Sequence, residues 1–293
     1  MDQPDVRSWN LPIGKQAQVL RAPGVVGLVF DRIEPLSLAE AVDAVSDLVD
    51  AADHALALCQ LDVRRPDTLR RFIGLHHPVA LVLQPDLAEA RAVKAVANEL
   101  DCPCLDAAGI DSGELQVDRM AMFGLVSWLI SRGHSRIGFV TDAEGSARGR
   151  QRMLGYLDAM AEHGLDRGPV LIEEGDGSFA SGAAAGRTLL EVSPRPSAII
   201  AANDEMALGA MAMAGELGLR VPDDVSVAGF GNTNAAAQAI PPLATVDLPW
   251  RKSIRRALAH LLDPREAASG TALAEPRIFP RASVADLPVR NAD

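Results

Sequence analysis

The feature that most constrains this chain is a repeated alternation of short apolar runs with stretches of helical apolar spacing. "GVVGLVF" (24–30), "HALALCQ" (54–60), "VALVLQ" (79–84) and "CPCLDA" (102–107) read as strands, with helices expected over 38–52, 65–75 and 86–100. The pattern then resumes with a helix over 119–132 and strands "RIGFVT" (136–141), "PVLIE" (169–173), "AIIAA" (198–202) and "VSVAGF" (225–230), separated by helices over 147–163, 180–192 and 204–218. Continuous apolar strands alternating with helices mean parallel sheets covered on both faces and joined by right-handed crossovers. So many strands suit two α/β lobes better than one continuous sheet.

A chain of 293 residues with 48% hydrophobic content has enough apolar side chain for one large core or two medium ones. Its formal charge of −11 argues against unaided binding of a polyanion. Cys59, Cys102 and Cys104 cannot all pair, and Cys102-Pro-Cys104 is too tightly spaced for an ordinary bridge, so they read as core residues in a reducing compartment. No apolar run approaches the ~18 residues of a membrane span, and the N-terminal stretch has no basic patch followed by an apolar block. These features predict a cytoplasmic protein. His76-His77 lacks a completing set of metal ligands, and "RKSIRR" (251–256) reads as a solvated or subunit-facing helix face. No Gly-x-Ser-x-Gly elbow, phosphate loop or dinucleotide fingerprint follows a strand, so no enzyme and no cofactor is expected.

Function in open parallel sheets gathers beyond the carboxyl ends of strands, where helix N-termini also point. "AIIAAND" puts Asn203 and Asp204 at such an edge, where a helix-capping pair is the plainer reading. "VSVAGFGN" puts Gly231 and Asn232 at a second edge, and "RIGFVTD" puts Asp142 at a third.

The stretch "AANDEMALGAMAMAGELGLRVPDDVSVAGFGNT" followed by "PPLATV", with "SRGHSRIGFV" (131–140) and "SARGRQRMLGYLDAM" (146–160) in the same order, resembles the effector-binding core of the LacI/GalR family of bacterial transcription regulators. The likeness covers roughly residues 24–290 and is strongest over 131–262. It implies two Rossmann-like lobes of the periplasmic-binding-protein type, joined by three crossovers near 133–135, 244–247 and 270–276. The expected division is a tail over 1–23, an N-terminal lobe over 24–134 plus 246–272, and a C-terminal lobe over 135–245 plus 273–293. It implies a small-molecule effector held between the lobes, signalling by lobe rearrangement, and homodimers paired through the lobes. Carried over residue by residue, the implied ligand set is Arg152, whose guanidinium fork suits paired acceptors, Asn203, Trp250, Gly231, Asn232, Phe179 and Asp31.

Departures from the family pattern matter as much. Where the resemblance leads one to expect a sugar-chelating aspartate, the chain has Gly231. Losing two charge-assisted hydrogen bonds of about 1.5–3 kcal/mol each would weaken a sugar by about 10²–10⁵-fold. Gly177 stands where relatives often carry an aromatic, with Phe179 two residues on, and "VDRMAM" replaces the usual Asp-Asn and Gly-Gly, so Met120 and Met122 are expected near the ligand. The expectation is a ligand less polar than a sugar, or a site that no longer binds one. Residues 1–23 carry Arg7, Lys15 and Arg21 against Asp2 and Asp5 and are too few for a helix-turn-helix, so DNA contact is expected only through a segment this chain lacks. A free-standing solute-binding protein and a core kept for protein–protein contact are the other readings.

Overall fold

The structure is a computed structural model, and it describes residues 23–30, 35–62, 67–84, 87, 90–106, 114–143, 146–165, 168–248, 255, 258–259, 261–262 and 275–288. The chain packs as two compact units, the first formed by 1–32, 41–114 and 250–273, the second by 33–40, 115–249 and 274–293. The packing division after residue 114 falls in the first turn of the helix that ends at 131, whereas the expected lobe boundary lay after that helix.

In the first unit the order is β1 (Val25–Phe30), α1 (Pro35–Ala51), β2 (Ala55–Gln60), α2 (Thr68–His76), β3 (Ala80–Leu83), α3 (Ala90–Glu99) and β4 (Cys104–Asp106). All pairings are parallel, in the sheet order β2-β1-β3-β4. Every residue of β3 is buried, as a strand covered on both faces requires. Phe72 and Ile73 of α2 and Val93 and Ala97 of α3 pack with Leu81 and Leu83 to close one side of this core. Burial pushes the thiols of Cys59 and Cys102 up to about 11, so both stay protonated core groups.

The second unit runs α4 (Glu114–Ser131), β5 (Ile137–Thr141), α5 (Ala147–Glu162), β6 (Ile172–Glu174), α6 (Phe179–Glu191), β7 (Ala198–Ala201), α7 (Asp204–Glu216), β8 (Ser226–Ala228), α8 (Asn234–Gln238), β9 (Thr245–Asp247) and β10 (Arg277–Phe279). Its parallel sheet is ordered β6-β5-β7-β8, and a parallel bridge from Ala228 to Ala244 leads into β9, which pairs antiparallel with β10. Together these elements form an α/β fold with parallel sheets in both units. Tyr156 of α5 is fully buried, donates to Ile137 O (2.8 Å) and stacks on Phe139 at 5.1 Å, which seats α5 on β5. The helices α6 and α7 cross with backbones touching. A Cβ on Gly182 would lie 2.2 Å from Met206 O, and one on Gly209 would lie 2.1 Å from Phe179 O.

Several expectations need correcting. "PVLIE" opens as a 3-10 turn, Pro169–Leu171, because Pro169 fixes its own φ and removes a strand donor; only Ile172–Glu174 is β6. α8, β9 and β10 had no counterpart in the sequence reading. Met122 is fully buried where α4 meets α5, its Cβ 3.0 Å from where a Cβ on Gly155 would sit, so it is core; Met120 is exposed. In the basic stretch 251–256, Arg255 is held by both carboxylate oxygens of Asp47, at 2.6 and 2.8 Å. The other residues of that stretch lie outside the described ones. No described helix is long and apolar enough to cross a membrane.

Candidate functional site

At the carboxyl ends of β5, β7 and β8 the second unit gathers its polar side chains. Strand β7 is buried along its whole length, and at its end Asn203 adopts an extended backbone and caps α7. Its Oδ1 accepts from Met206 N (2.7 Å) while its Nδ2 donates to Gly177 O (2.8 Å). Both halves of the amide therefore serve the fold, one satisfying an orphan helix N–H and the other pinning the turn that precedes α6.

Arg152 lies on the second turn of α5, a helix capped by Ser146 through Gly149 N (2.9 Å). Arg148 and Arg152 are four residues apart and therefore share a helix face. Both reach Asp118 of α4. Arg148 Nε donates to Asp118 Oδ2 at 2.9 Å, and Arg152 Nε donates to Asp118 Oδ1 at 2.8 Å. Side-chain exposure is 7% or less for all three, so this is a buried ionic cluster. The Arg152 guanidinium also donates to Ala202 O (2.9 Å) and lies 4.5 Å over the ring of Phe230. It thereby bridges the ends of β7 and β8.

Beyond β8 the chain passes through Gly231 at φ 132° and Asn232 at φ 56°. Gly231 holds a backbone conformation that an aspartate would adopt only with strain. Asn232 is one of the residue types that most readily adopt the left-handed region. Its Oδ1 accepts from Arg281 Nη2 (2.6 Å) and its N–H donates to Thr245 Oγ1 (3.2 Å). Asp204 is buried beneath this loop. Its Oδ2 accepts from Thr233 N (2.7 Å) and its Oδ1 accepts from the Thr245 hydroxyl (2.6 Å). Burial raises the Asp204 carboxyl above the usual range, opposed by these hydrogen bonds. Asp142, at the end of β5, accepts from Ala143 N and Ser146 Oγ.

Four of the expected ligand residues, Arg152, Asn203, Gly231 and Asn232, thus meet at one sheet edge. Phe179 lies elsewhere. It is half exposed in a groove of about 760 Å³ with Leu208, Met211, Leu219, Ile240 and Pro241. Trp250 and Asp31 lie outside the described residues. Sequence reasoning missed Asp118, Arg148, Thr245 and Arg281. The i, i+4 spacing of Arg148 and Arg152 was a usable signal; nothing local to Thr245 or Arg281 was. The Asn203 amide and the Asn232 amide oxygen all have protein partners at this edge, an arrangement that holds its shape.

The periplasmic binding protein-like domain family matches residues 126–284. Among curated relatives, the HTH-type transcriptional regulator AscG of Escherichia coli (strain K12) is 38% identical over 144 residues, 49% of this chain and 43% of the relative. The HTH-type transcriptional repressor CytR of the same organism is 34% identical over 171 residues, 57% of this chain and 50% of the relative. The chain thus spans about half the length of the curated relatives it matches. Among solved structures, a sugar-binding transcriptional regulator of the LacI family from Escherichia coli, complexed with phosphate, superposes with TM-score 0.73 at 25% identity, covering 90% of this chain and 99% of that one. A LacI-family regulatory protein from Chloroflexus aggregans gives TM-score 0.71 at 26% identity, covering 89% and 98%.

Proposed function

This chain belongs to the periplasmic binding protein-like domain family, as LacI-type transcriptional regulators do, and we propose that it is the effector-sensing core of such a regulator. In this reading a small molecule is captured between two lobes and shifts their angle, which changes the geometry of a DNA-binding partner segment. The observation that carries it is the convergence of Arg152, Asn203, Gly231 and Asn232 at the carboxyl ends of β5, β7 and β8, the edge at which open parallel sheets take ligands. The protein acts in the cytoplasm, without catalysis, as a homodimer. Contact with DNA belongs, in this reading, to a helix-turn-helix segment of the kind named in the curated relatives.

The ligand is less polar than a sugar. Gly231 offers no carboxylate, and the amides of Asn203 and Asn232 already have protein partners, so a polyol would find few free acceptors here. A thermal-shift screen followed by calorimetry tests this with plain hexoses and pentoses in one arm and less polar molecules of similar size in the other. Stabilisation by the second arm alone is expected. Tight binding of a hexose or pentose overturns the ligand class, and silence in both arms overturns the sensor. The same self-satisfied side chains favour a second reading, a core kept for protein–protein contact, which silence in both arms supports.

A further inference from the structure

The loop Gly229–Thr233 is gripped from three directions. Helix α7 holds it through Asp204, whose N–H donates to Phe230 O (3.1 Å) and whose carboxylate accepts from Thr233 N (2.7 Å). The segment entering β9 holds it through Gly229 N to Ala244 O and Gly231 N to Val246 O, both 2.8 Å, and through Thr245 Oγ1, which accepts from Asn232 N and donates to Asp204. The third grip is Arg281, two residues past the end of β10. Its Nη2 donates to Asn232 Oδ1 (2.6 Å) and its Nη1 donates to Leu243 O (2.7 Å), so one planar group ties the loop to the approach of β9.

β9 is the strand by which the chain leaves the second unit, and β10 is the strand by which it returns from the first. We propose that Arg281 is a positioning residue of the sheet-edge site, which makes the loop 229–233, β9 and β10 open and close as one body. It holds Asn232 in the left-handed conformation through its hydrogen bond to Oδ1, without itself forming the edge. Whatever binds at Asn232 is then felt directly by the two connecting strands. The role of the edge rests on the proposed function; the mechanical claim does not, and its test needs no ligand.

Native-state hydrogen exchange on the whole chain provides that test. In the wild type, the amides of Gly231, Asn232 and Thr233 should share one opening equilibrium with those of β9 and β10. Arg281→Ala should speed exchange at 231–233 by about ten-fold or more, leaving β5 and β7 within about two-fold. Arg281→Lys, which keeps the charge but loses the fork, should fall between. Asn232→Gly takes the left-handed φ without a side chain. Adding Arg281→Ala to it should therefore bring no further acceleration at 231–233. Three outcomes overturn the proposal: unchanged exchange in the loop, equal acceleration through the whole sheet, or effects of the two substitutions that simply multiply. If Arg281→Ala does not fold, Arg281→Lys alone and in the Asn232→Gly background gives the same comparison. A chain that binds nothing in the ligand screen still yields this result, so the two ideas fail separately.

Discussion

Asp118 answers two guanidinium groups with one carboxylate, in a place where water screens little. Neutralising it leaves Arg148 and Arg152 buried without their shared counter-charge, and breaking a buried ion pair from one side is far more damaging than never having had it. Asp118→Asn should lower unfolding free energy by about 3–5 kcal/mol in urea titrations; a loss under about 1 kcal/mol means that other groups carry the neutralisation. His134 gives the residue scale a pH dependence. It is buried, with Nδ1 near Ser197 Oγ (3.0 Å) and Nε2 near Ala285 O (3.1 Å), and burial lowers its basicity below the usual value of 6.5. A base whose folded pKa is depressed leaves the unfolded chain binding more protons, so stability falls as pH drops through the unfolded value. The urea midpoint should therefore decline between pH 7.5 and 5, and His134→Gln should flatten that decline. Asp204 acts in the opposite sense, its raised carboxyl losing stability as pH rises from the unfolded value of 3.8 towards the folded one, so the contribution of His134 is read as the difference between the wild type and His134→Gln.

At the scale of elements, helix crossings decide which glycines are replaceable. Gly209 faces the carbonyl of Phe179 where α6 and α7 touch, so Gly209→Ala forces the helices apart and should cost about 1–3 kcal/mol. Gly124 in α4 has open space around its Cα. There Gly124→Ala only removes chain freedom from the unfolded state and should add about 0.5–1 kcal/mol. Opposite signs in the same denaturant assay are the expected result. Elements of this kind were readable from sequence because their apolar periodicity is local: β1, β3, β5 and β7, and the helices between them, lie where the pattern put them. β9 and β10 were not readable, since three-residue strands are fixed by partners about thirty positions away, as Arg277 is by Asp247. Part of the site obeys the same division. Asn203 as a cap is a local matter and was legible. The grip of Arg281 on Asn232, 49 residues apart, and the pairing of Arg148 with Asp118 exist only once the sheet has formed.

For the whole molecule the exposed apolar groups carry the argument. Ile240 is 96% exposed at the rim of the groove that holds Phe179, Leu208 and Met211. A large aliphatic side chain left in water beside such a groove is a place where the proposed dimer can be tested. If the proposed dimer pairs through this groove, a charge at Ile240 should break it. Light scattering after size exclusion should give a dimer for the wild type at micromolar concentration and a monomer for Ile240→Asp. Because a dimer is stabilised by its own concentration, the wild-type urea midpoint should rise with protein concentration while that of Ile240→Asp stays fixed. The substitution touches no core residue, so the variant should match the wild type extrapolated to high dilution. A wild type that is monomeric overturns the homodimer, and a variant that remains dimeric moves the interface away from α7 and α8.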